Sequence, residues 1–171
     1  MKILLACEGQ SEVFLLNSLI EKGYLNFKYP LLLDEPIRLR QLAEIAPIIN
    51  ALPVDEEIII YRVGDTLKEE FDLSKFKMRQ NHMKVYKVCT KPEIEVLVII
   101  NEGIYPEYIK NSKKYRPKSF VNCKFKGFDI ESYFSSNDLS NAIREYKRLK
   151  KHNKDELYCT SQQKVDTNFK F

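Results

Sequence analysis

Two short, mostly apolar runs, at residues 3–7 and 58–63, dominate the hydrophobic pattern of the chain. Because neither run alternates apolar with polar side chains, each predicts a strand that is buried on both faces of a parallel sheet. The first run stops at Glu8, and apolar positions then recur at helical spacing between Ser11 and Gly23. Ser11 suits the N-cap of this helix and Gly23 its C-terminal stop. The pattern predicts a strand–turn–helix unit with Glu8 at the carboxyl end of the strand.

Three further segments continue the alternation of strands and helices. An apolar stretch at residues 29–33, closed by Pro36, predicts a second strand, and residues 84–89 predict a fourth. Between them, apolar positions from residue 39 to residue 49 have helical spacing and include Pro47. Proline removes a helical hydrogen bond, so we expect a kink or a break at Pro47.

A helix-start signature follows the fourth predicted strand. Thr90 and Glu93 have the spacing of a capping box, with Pro92 in the first turn. This spacing predicts a helix from Pro92 to about Asn101. Many residues of the segment are β-branched, so a strand is the alternative.

The order of these elements predicts an α/β fold with a mostly parallel sheet flanked by helices. We expect this domain to span residues 1–103. Residues 104–159 predict a basic, partly helical extension packed on the domain, with an amphipathic helix at residues 139–149. The last residues, 160–171, have the composition of a disordered tail.

Composition narrows the class of protein. With 171 residues, of which 44% are hydrophobic, the chain is long enough for one compact domain. Its 4 cysteines lie far apart and have no zinc-site spacing, so we expect a reduced, cytoplasmic protein. No apolar run approaches the ~18 residues of a membrane span, and the first residues lack signal-peptide features. The net charge of +4 is modest, and its distribution is more informative.

Acidic residues stand after three of the predicted strands. Glu8 follows the first strand, Asp65 the third, and Glu93 and Glu95 the fourth. Since the carboxyl ends of parallel strands meet at one edge, these side chains can converge there. Gathered carboxylates suit Mg²⁺ or Mn²⁺, which would relieve their repulsion, polarise a phosphoryl oxygen and activate water. The alternative is that they are ordinary cap and turn residues.

The order of three segments, CEGQSE from Cys7, YRVGDT from Tyr61 and KPEIEVLVIINE from Lys91, resembles the Toprim-type domain of RloB-like proteins. Over roughly residues 1–103, the resemblance implies a Toprim or Rossmann-like fold. It also implies a Mg²⁺-dependent, phosphodiester-cleaving nuclease of bacterial antiviral defence or abortive infection, often encoded beside an ATPase. Glu8 matches the first acidic motif of the family.

The second acidic motif of the family, Asp-x-Asp, is incomplete, because Asp65 is flanked at the two relevant positions by Val63 and Leu67. In the helix-start motif Asn-Pro-x-x-Glu, Pro92 and Glu95 match and a lysine replaces the asparagine. Either Glu95 or the neighbouring Glu93 supplies the missing metal ligand, or metal binding is weakened or lost.

Two hypotheses of different class follow. In the first, the protein is a Mg²⁺-dependent nuclease in which Glu8 is a metal ligand or proton-transfer group, Asp65 a metal ligand, and Glu95 a further or orienting ligand. In the second, a catalytically silent module on the same fold binds nucleic acid, a nucleotide or a partner ATPase. A homo-oligomer is compatible with both hypotheses.

Residues 110–126 contain no acidic residue and seven basic ones, namely Lys110, Lys113, Lys114, Arg116, Lys118, Lys124 and Lys126. Aromatic residues are interleaved among them and could stack unpaired bases. We expect Lys113, Lys114, Arg116 and Lys118 to contact the phosphates of a nucleic acid. The alternative is a solvated lysine-rich loop in which Phe120 or Phe125 only anchors the segment to the core.

Overall fold

A four-stranded, all-parallel sheet lies at the centre of the computed structural model, which describes residues 1–25, 32–64, 71–90 and 93–152. Its strands are β1 (Lys2–Cys7), β2 (Ile37–Arg38), β3 (Ile58–Gly64) and β4 (Met83–Cys89). The order across the sheet is β2-β1-β3-β4, so β1 and β3 are the central pair. The predicted α/β class with a parallel sheet is confirmed.

Helices cover both faces of the sheet. Two 3₁₀ helices (Leu42–Ile45 and Ser74–His82) accompany the α-helices, which are α1 (Gln10–Glu21), α2 (Ala46–Asn50), α3 (Val96–Asn101), α4 (Tyr105–Asn111), α5 (Pro117–Lys124), α6 (Ile130–Ser136) and α7 (Ser140–His152). Helices α1 and α3 to α7 contribute to the core on one face, which we call the α1 face. The 3₁₀ helices and α2 pack on the other, which we call the α2 face.

Side-chain alternation along the two central strands builds a separate core on each face. Leu5 and Cys7 of β1 pack on the α1 face, whereas Leu4 and Ala6 pack on the α2 face. All four side chains are at most 1% exposed. The continuous apolar runs predicted strands that are buried on both faces, and β1 and β3 confirm that prediction.

The helices after residue 103 complete the α1-face core. Phe120 and Phe134 are buried in the same cluster as the side chains of β1 and α1. Ser18 Oγ of α1 donates a hydrogen bond of 2.6 Å to the Phe134 carbonyl, and Lys22 Nζ donates to the same carbonyl at 2.7 Å. Continuous packing therefore crosses the predicted boundary at residue 103, and the division of the chain there stays an interpretation.

The second strand differs from its prediction. Residues 29–31 lie outside the described part of the chain, and Leu32 makes only an isolated parallel bridge to Ile3. The strand itself, β2, begins directly after Pro36. Proline has no N–H to donate, so it is tolerated at the start of an edge strand, which is the position of β2. Pro36 therefore introduces this strand and does not close it.

Two helix boundaries also differ from prediction. Helix α1 begins after Gly9, not Ser11, although Gly23 with φ +69° stands at its C-terminal end as expected. Helix α3 begins at Val96, four residues after the predicted start. Thr90 does not cap it, because the Thr90 hydroxyl donates instead to Glu12.

The remaining elements agree with the sequence pattern where they are described. A 3₁₀ helix gives way to α2 at Ala46, with Pro47 in the first turn, which confirms the break. Helix α7 confirms the amphipathic helix at residues 139–149. The predicted tail at residues 160–171 lies outside the described residues. Among the described helices, none is both long enough and apolar enough to cross a membrane.

Candidate active site at the carboxyl edge of the sheet

The strand order creates a crevice at the carboxyl ends of β1 and β3. The connection after β1 leads to one side of the sheet, and the connection after β3 leads to the other. Such a switch point is where open α/β sheets bind ligands. Backbone hydrogen bonds extend the pairing beyond the strands, from Glu8 N to Val63 O at 2.8 Å and from Thr90 N to Gly64 O at 2.9 Å. Glu8 and Thr90 are therefore each held by the backbone of β3.

Glu8 lies directly against the end of β3. A Cβ atom on Gly64 would be 2.6 Å from Glu8 Cβ, closer than real Cβ contacts allow. Only glycine at position 64 leaves room for the half-buried Glu8 side chain. Asp65 follows Gly64 in the chain but lies outside the described residues, so its predicted place beside Glu8 stays a prediction.

Glu12 is a buried carboxylate that the sequence analysis did not select. It lies in the first turn of α1 with 9% of its surface exposed, and its Oε1 accepts a hydrogen bond of 3.4 Å from Thr90 Oγ1. A Cβ on Gly9 would be 2.8 Å from Glu12 Oε2, so the carboxylate also covers the turn after β1. Glu12 is four residues before Leu16 and seven before Leu19, which extends the apolar stripe of α1. That spacing was the signal for its burial.

Glu95 is the most buried of the predicted site residues, with 6% of its surface exposed. Its pKa is raised, mainly because burial disfavours the carboxylate, and further because the charges of Glu93 and Glu12 lie nearby. Lys118 opposes this shift with its positive charge. Burial and the charge of Glu12 also raise the pKa of Cys7 to about 12, so its thiol stays protonated at neutral pH. Glu12 is thus electrostatically close to both groups.

Glu93 has a structural contact. Its Oε2 accepts a hydrogen bond of 3.0 Å from the backbone N–H of Lys118 in the first turn of α5. The carboxylate satisfies one of the N–H groups that the start of a helix leaves without an intrahelical partner. Glu93 thereby ties α5 to the segment that follows β4, a role that its predicted place in a capping box did not indicate.

The described acidic residues of this edge lie in two groups, and the expected convergence of Glu8 with Glu93 and Glu95 on one metal site is not seen among them. Glu12, Glu93 and Glu95 influence one another on the α1 face. Glu8 is two residues beyond Ala6, whose side chain packs on the α2 face, and it contacts the end of β3 there.

The candidate metal ligands of this edge are incomplete among the described residues. In the described ranges, no group of three or more His, Cys, Asp or Glu side chains could hold a metal ion. The carboxylate oxygens of Glu8 are suitable donors for Mg²⁺ or Mn²⁺. They do not form a complete cation site without further ligands, and Asp65, which follows Gly64 in the sequence, is the candidate ligand that remains.

The basic segment has exposed cations but mostly buried aromatic rings. The side chains of Lys113, Lys114, Arg116 and Lys118 are exposed, as a phosphate-contacting surface requires. Tyr108 and Phe120 are buried in the α1-face core and pack edge to face with ring centroids 5.4 Å apart. These two rings are therefore not available for stacking with bases, and Phe120 anchors the segment to the core, whereas the predicted phosphate contacts of its cations stay a prediction.

Comparison with protein-family models, with curated proteins and with solved structures finds no match for the chain. The resemblance to Toprim-type domains therefore stays a hypothesis based on the motifs themselves.

The raised pKa of Glu95 predicts a stability effect with a defined sign. A carboxyl group with a higher pKa in the folded state binds more protons when folded, so stability falls as pH rises through that pKa. We expect Glu95→Gln to be more stable than the wild type near pH 7, with the difference shrinking toward about pH 4. Urea unfolding of metal-free protein in EDTA across this range measures the effect.

The exposed Glu131 in the first turn of α6 provides a matched control. Glu131→Gln also removes one carboxylate, but that carboxylate is exposed. The free energy of unfolding of this variant should therefore change with pH in parallel with that of the wild type. If Glu95→Gln also ran parallel to the wild type, the carboxyl group of Glu95 would not be desolvated in the folded protein.

Proposed function

We propose that this protein is a divalent-cation-dependent phosphodiesterase that acts on nucleic acid, with its active site at the switch point between β1 and β3. The observation that carries the proposal is the packing of Glu8 across Gly64 at the carboxyl end of the central strand pair. This contact puts a half-buried carboxylate where α/β sheets of this order bind ligands.

Buried acids on the same edge add support. Charged groups are rarely buried, and Glu12 and Glu95 are both buried within electrostatic reach of one another. Buried carboxyl groups with a raised pKa, such as that of Glu95, are frequent at active sites. The Toprim-like order of motifs, with Glu8 in the first of them, is consistent with the same edge as the site.

In the proposed site, Glu8 and Asp65 hold Mg²⁺ or Mn²⁺. The buried Glu95 orients these ligands from the α1 face. A bound cation would supply charge neutralisation at the phosphoryl group and activation of water. Only one acid follows β3, where an Asp-x-Asp motif would supply two. A third carboxylate is therefore the candidate to complete the metal ligands. The carboxylate of Glu93 already accepts the Lys118 N–H, so Glu12 and Glu95 are the candidates, and both lie on the α1 face.

The exposed cations of the α4–α5 region are proposed to hold the nucleic acid. Within this region Lys124 forms an ion pair with Glu107, so its charge is partly neutralised. Lys118 lies next to the site as well, because its backbone contacts Glu93 and its charge acts on Glu95. A strand bound along Lys113, Lys114 and Arg116 would reach the edge of the sheet through Lys118.

A second function has one observation in its favour. The described residues contain no cluster of three or more potential metal ligands, as a module that has lost its chemistry would also show. Such a module would bind nucleic acid, a nucleotide or a partner ATPase on the same fold without cleaving a phosphodiester bond.

Cleavage assays distinguish the two functions. We expect the purified full chain to cut single-stranded or plasmid substrates with Mg²⁺ or Mn²⁺ and to be inactive in EDTA. Glu8→Gln and Asp65→Asn should each lower the rate about 100-fold or more, because each removes a charged group from the reacting centre.

Glu21→Gln, at the exposed end of α1, is the matched control and should leave the rate unchanged. Rates that are equal in all four proteins would mean that a contaminant cleaves the substrate. Binding without any cation-dependent cleavage by the wild type would contradict the nuclease proposal and favour the silent module.

The salt dependence of binding tests the nucleic-acid surface separately. Each phosphate contact that is lost should lower the slope of log affinity against log salt by about 0.7 to 0.9. We therefore expect the variant with Lys113, Lys114, Arg116 and Lys118 all changed to Ser to bind more weakly and with a flatter slope. Lys77→Ser, which removes an exposed cation elsewhere, should lower the slope little. An unchanged slope in the fourfold variant would exclude this surface.

A further inference from the structure

One half-buried aromatic ring lies in the same short segment as the exposed cations that join α4 to α5. The ring belongs to Tyr115, and the cations that flank it in the sequence are Lys113, Lys114, Arg116 and Lys118. None of these four cations forms an ion pair with an acidic side chain in the part of the chain that the structure describes. They are therefore available to an anionic ligand.

The segment has little acidic charge of its own. Glu107 is the one acidic residue between Glu102 and Asp129 in the sequence. Its carboxylate forms an ion pair with Lys124, so it does not neutralise the cations around Tyr115. A cationic segment of this kind suits the phosphates of a nucleic acid.

Packing and backbone contacts fix the position of the Tyr115 ring. Its centroid lies 6.4 Å from that of Phe120, which is buried in the α1-face core, and the two ring planes are inclined by 57°. Lys114 Nζ lies 5.0 Å from the Tyr115 ring centroid, so a positive charge accompanies the ring. The Tyr115 N–H donates a hydrogen bond of 3.0 Å to the Asn111 carbonyl at the end of α4. The ring is thus anchored to the core while part of it stays exposed.

The other half-buried ring of the basic segment is less suited to bind a nucleic acid. Phe125 packs against Phe128 with ring centroids 6.1 Å apart. The neighbouring Lys124 is already paired with Glu107, so fewer unpaired cations flank this ring. Tyr115 is therefore the ring of this segment that combines partial exposure with several available cations.

We propose that Tyr115 stacks on an unpaired base and that the nucleic acid bound at this surface is single-stranded. Inside a duplex, each base is covered on both faces by its neighbours, so a protein ring stacks on bases that are unpaired. Cations bind the phosphates of single strands and duplexes alike and carry no such preference. The ring adds a contact that only the single strand offers.

This inference rests on the nucleic-acid surface of the proposed function and names its substrate class. Binding in EDTA tests it without any cleavage. The probes are an oligothymidylate, an abasic deoxyribose-phosphate strand of the same length, and a DNA duplex with the same number of phosphates. We expect the oligothymidylate to bind at least about fivefold more tightly than the abasic strand, since stacking on one ring contributes about that factor or more. The duplex should also bind more weakly than the oligothymidylate.

Tyr115→Leu separates stacking from phosphate binding. Leucine keeps an apolar contact with Phe120 but has no flat face, so oligothymidylate binding should weaken at least about fivefold. Binding of the other two probes should change by less than about twofold, and the slope of log affinity against log salt should stay the same, because no phosphate contact is lost.

Two further variants are matched to this one. Tyr115→Phe keeps the flat face and removes only a hydroxyl that forms no hydrogen bond with another described residue, so it should retain most of the affinity. Tyr24→Leu removes a ring that is 37% exposed and follows α1, and it should leave binding of the oligothymidylate unchanged.

A fluorescent variant reports stacking directly. The chain contains no tryptophan, so Tyr115→Trp introduces a single indole ring at this position. The oligothymidylate should quench its emission, whereas the abasic strand at saturation should not. Tyr24→Trp is the control, and neither strand should quench it.

Three results would overturn the inference. One is equal affinity of the wild type for the oligothymidylate and the abasic strand. Another is a flatter salt dependence in Tyr115→Leu, which would make its loss of affinity a loss of phosphate contacts. The third is tighter binding of the duplex than of the oligothymidylate. Base-dependent binding without cleavage would contradict the proposed phosphodiesterase alone, so failure of the inference and failure of that function are distinguishable.

Discussion

The parallel pairing of β1 with β3 is the interaction on which the rest of the structure depends. Six residue pairs in register, from Lys2 with Ile58 to Cys7 with Val63, make these two strands the centre of the sheet. Their side chains are buried on both faces, so helices must cover both faces, and the C-terminal helices supply much of one cover. The same register brings Glu8 level with Gly64. The pairing of β1 with β3 therefore determines both the fold and the position of the candidate site.

The sequence predicted the elements in which local pattern and tertiary burial agree. Continuous apolar runs identified β1 and β3, because a strand buried on both faces has no polar side to interrupt it. The position of β2 was not predictable to the residue, since an edge strand of two residues depends on pairing with β1 more than on its own composition. Helix α3 begins late for a comparable reason, because Thr90 and Glu93 make tertiary hydrogen bonds in place of a capping box.

The position of the candidate site was predicted from the acidic residues that follow the strands. The burial of the acidic residues at this site was not predicted. Glu12 was not among the predicted site residues, although its spacing to Leu16 puts it on the buried stripe of α1. The aromatic rings of the basic segment were indistinguishable from stacking surfaces in sequence, since only tertiary packing shows that Tyr108 and Phe120 face the core. Arg62 interrupts an apolar run and is buried over Phe71, a contact between segments that no local pattern encodes.

A crystal structure of the protein with Mn²⁺ would show whether the Glu8 side of the β1–β3 edge holds a divalent cation, because the metal is identified by its anomalous scattering. We expect one anomalous peak at the carboxyl end of β1, with oxygens of Glu8 and Asp65 bound to the metal directly or through water. The peak should be lost in Glu8→Gln. A peak elsewhere on the protein, or none at this edge at a Mn²⁺ concentration that supports cleavage, would contradict the account.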